Sequence, residues 1–127
     1  METKIITLNF KVDEPTINGH IYPKDVFLKA LDKRKEIFVE NEINMNSVVE
    51  LSKVIGIVQL EIQEDNTIGG SFKKFDTPAW NKIKNIQFED LRFTTKCFGE
   101  FEKDSKIIKY IKLISIGAFI EKWKQKI

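Results

Sequence analysis

The strongest constraint on this chain is a two-residue alternation of apolar and polar side chains that returns in three separate stretches. From Lys4 to Val12, Ile6, Leu8 and Phe10 fall on one side and Thr7, Asn9 and Lys11 on the other. Val58, Leu60 and Ile62 alternate with Gln59, Glu61 and Gln63. From Leu91 to Phe101, Leu91, Phe93, Thr95, Cys97 and Phe101 share one face, and Arg92, Thr94, Lys96 and Glu100 the other. Such a pattern fits strands with one face in a core and does not fit a helix. It places Thr95 and Cys97 inward and turns Thr94 and Lys96 away.

The remaining segments fit around these strands. Asp13 to Gly19 reads as a loop, with Pro15 and Asn18-Gly19 as turn signals. Pro23 suits the first turn of a helix, and Val26, Phe27, Ala30 and Leu31 give it an apolar stripe, so a helix is expected over Pro23–Lys33. Glu36 to Glu40 reads as a short strand and Glu42 to Ser47 as a polar loop. Val48 to Gln63 reads as one long strand, with Gly56 marking a bend. Glu64-Asp65-Asn66 reads as a hairpin turn, and Thr67 to Phe75 as the returning strand. Gly69-Gly70 reads as a defect in that strand. Asp76-Thr77-Pro78 starts a second short helix, Pro78 to about Lys84. Ile107 to Ile120, apolar on both sides, reads as a central or covered strand with a bend at Gly117. The expected fold is mainly β within an α+β class: a single domain over residues 1–127, an antiparallel sheet or barrel with two short helices. At this length a domain buries about two-thirds of the surface its unfolded chain exposes, and the ten Phe residues suit packed sheet faces.

Composition narrows the chemistry. A net charge of +2 with no Lys/Arg stripe gives no sign of nucleic-acid binding. Lys122 to Lys126, with Trp123 among them, reads as a solvated basic terminus. One cysteine excludes an internal disulfide, and no apolar run approaches the roughly 20 residues of a membrane helix. No signal peptide is expected either. With one His and one Cys far apart, a zinc site lacks ligands, and no loop has calcium-binding spacing, so neither a metal nor a cofactor is expected. His20 reads as a turn histidine and Cys97 as a small buried hydrophobe.

Four stretches together resemble the head-maturation (prohead) proteases of tailed phages, which share the herpesvirus-protease fold. Asn18-Gly19-His20-Ile21-Tyr22-Pro23 is similar to the family's Asn-Gly-Arg-x-Tyr-Pro segment. Phe75-Asp76-Thr77-Pro78-Ala79 is similar to its turn into a helix. Leu91 to Gly99 resembles the strand that carries Leu-Gly-Val-Ser-Ser-Arg-Gly in active members, and Leu113-Ile114-Ser115-Ile116 the closing strand. Order and spacing agree across nearly the whole chain.

What the resemblance implies is a serine protease with a histidine base, and the residues depart from that. Thr94 and Thr95 stand at the serine pair, where a β-branched hydroxyl is stiff and crowded. Lys53, within Leu51-Ser52-Lys53-Val54, stands at the histidine. A hydroxyl without a base is nearly inert at neutral pH. Lys53, Thr94 and Thr95 therefore read as degenerate positions rather than catalytic ones. The expected role is a non-catalytic head protein, auxiliary, cement or scaffold-associated, with capsid or scaffold proteins or a second copy as partners. It would reside in the virion or in host cytoplasm during assembly. Two alternatives stand beside it: a live protease with Thr94 as nucleophile and Lys53 as base, and a free regulatory or host-interaction protein.

Overall fold

The structure is a computed structural model that describes residues 3–42 and 48–120. Six strands carry the fold: β1 Thr3–Lys11, β2 Ile37–Glu40, β3 Val54–Ile62, β4 Thr67–Lys74, β5 Leu91–Phe101 and β6 Ile108–Ile120. Two short helices accompany them, α1 Lys24–Lys33 and α2 Pro78–Ile83. The strands close into a barrel in the order β1-β4-β3-β2-β6-β5. Closure pairs most of the sheet edges among the described residues, which is how small β-domains limit pairing with other chains.

The barrel is mainly antiparallel, as expected, with two parallel junctions. β2 lies parallel to β6 through Val39↔Ile116 and Glu40↔Gly117, and β1 meets β5 in parallel at Leu8↔Phe93. The other four junctions are antiparallel. Alternation along one strand reports which residues face inward, but it carries no information about the direction of the neighbour.

Most inward residues are those the alternation selects, while Phe101, expected on the inward face, is 42% exposed beyond a register shift at Glu100. Ile6, Leu8, Val58, Leu91 and Phe93 are buried, with Val39, Ile116 and Ala118 from the parallel pair. Two aromatic groups extend this core. Phe72 packs with Trp80 and Phe88, and Phe88 with Phe93, which ties α2 and its following turn to the barrel. Phe10, Tyr22 and Phe27 pack together beneath α1.

Helix starts follow the sequence with one difference. Thr77 caps α2, its hydroxyl accepting from the Trp80 N–H at 3.2 Å and donating to the Val54 carbonyl at 2.8 Å. Pro23 is the residue before α1 rather than its first. A proline has no capping side chain, and Asp13 supplies the missing acceptor from the loop, taking the Lys24 N–H at 2.8 Å.

The long strand expected over Val48–Gln63 begins only at Val54, after a single 3-10 turn at Leu51–Lys53. Residues 48–50 are drawn off the sheet because the Glu40 carboxylate takes the Glu50 N–H at 3.1 Å. The polar loop expected over Glu42–Ser47 lies largely outside the described residues. Gly70 is no defect. A Cβ there would overlap the Gln59 carbonyl, so the glycine permits β4 to approach β3.

Candidate functional site

Alternation along β5 sends Thr95 and Cys97 to the barrel interior and Thr94 to the outer face. Thr95 Oγ1 lies 3.8 Å from Cys97 Sγ, and Cys97 packs against the core while remaining half-buried. Thr95 thus stands apart from Thr94. The expectation that Lys96 turns away from the core needs correction on its consequence. It lies on the outer face and is nevertheless buried, with 7% of its side chain exposed. The cover comes from the chain around Val48, whose carbonyl accepts from the Lys96 ammonium.

Lys96 belongs to a buried polar cluster. Its ammonium lies 3.1 Å from Glu40 Oε1, and the same oxygen accepts from the Ser115 hydroxyl. The Glu50 N–H occupies the other carboxylate oxygen. Glu40 is 1% exposed and Ser115 0%. The register explains how they meet: Ser115 is opposite Lys96, and Glu40 follows inward Val39, so alternation puts it on the outer face beside β6.

Burial alone would raise the Glu40 carboxyl. The hydrogen bonds from Ser115, the Glu50 N–H and Lys96, with the Lys96 charge, outweigh it and hold the carboxyl below the usual carboxylate range. Glu40 is therefore ionised at neutral pH with both oxygens occupied. A general base works best with a pKa near the working pH and an oxygen open to the substrate's proton. Glu40 has neither property and is suited to anchoring.

Thr94 is one residue from this cluster on the outer face. It pairs with Gly117, Gly117 with Glu40, and Glu40 with Val54, so four neighbouring strands put these residues in one row. Lys53, next to Val54, stands at the far end of that row from Thr94. Three strand spacings separate the row's ends, about 14 Å along the sheet. The Lys53 ammonium contacts Glu42 and lies 3.9 Å from Glu50. The fold thus brings Lys53 and Thr94 to the same region and gives Lys53 carboxylate partners there.

His20 is elsewhere. Its ring packs edge-on against Phe101, centroids 4.9 Å apart. Phe101 is seven residues from Thr94, about 23 Å along β5. His20 borders a cavity of about 130 Å³ with Tyr22, Cys97 and Phe101. Burial, followed by the neighbouring Cys97, pushes Tyr22 up to about 12. Burial also pushes the Cys97 thiol up, against hydrogen bonds with Thr95 and Tyr22 that act the other way. A thiol kept protonated is a poor nucleophile.

Among the described residues no group of three or more His, Cys, Asp or Glu converges on a metal-sized space. No described helix is long and apolar enough to cross a membrane. The sequence reading passed over Glu40 and Ser115. Their signal was a polar residue in an apolar stretch, Ser115 within Leu113–Ala118 and Glu40 after Ile37–Val39, since buried polar groups require partners.

By fold, the six-stranded closed barrel with two short helices is of the prohead-protease type. Among solved structures it is similar to the capsid assembly protease of bacteriophage T4, gp21, with a TM-score of 0.72 and 14% sequence identity over 92% of this chain and 96% of that one. No protein-family model matches the chain, and no curated protein matches it by sequence.

Proposed function

We propose that this chain is a non-catalytic phage head protein, an auxiliary, cement or scaffold-associated component built on a protease-type barrel. The observation that carries the reading is the state of the outer face where the resemblance puts a protease's serine and base. Thr94 stands there two strands from a carboxylate, Glu40, whose oxygens are taken by Ser115, Lys96 and the Glu50 N–H. Lys53 is engaged by Glu42 and Glu50. Peptide hydrolysis needs a hydroxyl, a base within about 3 Å of it and donors aimed at the oxyanion. Thr94 supplies the hydroxyl, and the charged groups around it are committed to one another.

The similarity to a capsid assembly protease supports placing the chain in head assembly, with capsid or scaffold proteins as partners. Co-sedimentation with assembled shells and with soluble scaffold tests this. Saturable binding to either supports a head component. Absence of binding to both favours a free regulatory protein.

A further inference from the structure

The groove between α1 and β6 lies away from that site. β2 joins β6 only at Ile116 and Gly117. Over Ile108–Leu113 the edge of β6 away from β5 therefore carries no strand among the described residues. Both ends of this open stretch are closed. The Ile108 N–H donates to the Ile21 carbonyl, and the Arg34 guanidinium donates to the Ile114 carbonyl at 3.5 Å.

Between α1 and this edge runs a groove of about 320 Å³. Its apolar lining comes from Val26, Ala30 and Ile111, and its charge from Lys29, Lys33 and Lys109 against a single Asp32. Asp32 is 3.9 Å from Lys35, and Lys109 is 3.9 Å from Glu100. Both pairs are exposed, and such pairs are weak enough to exchange partners. The groove thus combines, among the described residues, an open strand edge and an excess of positive charge over a largely buried apolar floor.

We propose that this groove docks an extended acidic segment of a partner protein, laid along the open edge of β6. Its carboxylates would face Lys29, Lys33 and Lys109. Strand addition draws affinity from main-chain hydrogen bonds and specificity from alternate side chains, and the lysines select for acidic ones. The inference rests on the groove's own geometry and holds whether or not the chain belongs to a phage head.

The test uses the full chain and a fluorescein-labelled peptide of about eight alternating valine and glutamate residues, read by anisotropy. Three further probes are compared: the peptide with lysine for glutamate, the peptide N-methylated at alternate residues, and a single-stranded oligonucleotide. The valine–glutamate peptide is expected to bind saturably and the other three much more weakly. Lys29→Glu with Lys33→Glu is expected to weaken binding about tenfold or more, and Lys84→Glu, outside the groove, by less than about twofold. Both changes are at exposed positions, and circular dichroism confirms that each variant is folded. The proposal is overturned by absence of saturable peptide binding or by equal affinity in the double variant. It is equally overturned if the N-methylated peptide binds as well as the parent, or if the oligonucleotide binds more tightly.

Discussion

Among the lysines that meet glutamate carboxylates, Lys53 and Lys96 do so in opposite surroundings. The Lys53 side chain is 29% exposed, with Glu42 at 50% and Glu50 at 29%. The Lys96 and Glu40 side chains are 7% and 1% exposed. At Lys53 water screens the attraction, and ordering two long side chains offsets much of what remains, so the pair contributes at most about 1 kcal/mol. At Lys96 both charges are almost wholly shielded from water. Losing one partner of such a pair costs about 3–5 kcal/mol. The same residue types therefore carry very different weights, and the cover over the sheet face sets the difference. The covered pair shares the outer face of the barrel with Thr94.

The largest expected effect is Glu40→Ala, which removes the buried carboxylate 3.1 Å from the Lys96 ammonium. Urea unfolding should show a loss of about 3–5 kcal/mol. A loss below about 1 kcal/mol would erase the contrast with Lys53. Replacing both members together, Glu40→Leu with Lys96→Met, should recover much of that loss, because no unpaired charge remains.

Acid should weaken the same cluster. The Glu40 carboxyl is lower in the folded state than its ordinary value of 4.5. Such a group contributes stability above its unfolded pKa and loses it as pH falls through the folded value. Stability should thus decline as pH drops below about 4.5, and more steeply in the wild type than in Glu40→Gln. Parallel pH profiles for the two proteins would remove Glu40 from the account.

Ser115→Ala removes one donor to a charged acceptor and should cost about 1–3 kcal/mol. A neutral result would mean that the remaining donors satisfy Glu40. Lys53→Ala is expected to change stability by less than about 1 kcal/mol. A loss as large as that of Glu40→Ala would place both pairs in the same class.

The elements were legible in the sequence because each has a local cause. Leu91–Cys97 alternates and forms the first part of β5. Thr77-Pro78 carries its own cap and first-turn proline and starts α2. What escaped depended on contacts across the chain. The parallel meeting of β2 and β6 leaves no mark on either strand. Val48–Lys53 looks like strand by residue type, yet Glu40, distant in the fold's ladder, takes the Glu50 N–H and turns the chain away. Lys96 was assigned to the correct face, but the segment that buries it follows β2, not β5. Lys53, Thr94 and Thr95 enter the candidate site only through the resemblance. The Glu40–Lys96–Ser115 cluster was not legible, since its members are 19 or more residues apart in the sequence and meet only when the barrel closes.

The central claim is that this face does not hydrolyse peptides, and it is tested most directly by incubating the purified chain with shell and scaffold proteins and analysing the products by mass spectrometry. Wild type, Thr94→Ala and Lys53→Ala are compared at equal concentration. The expected result is no fragment of shell, scaffold or the chain itself in any of the three. Cleavage by the wild type that both substitutions abolish would contradict the account and establish Thr94 and Lys53 as the working pair of a protease.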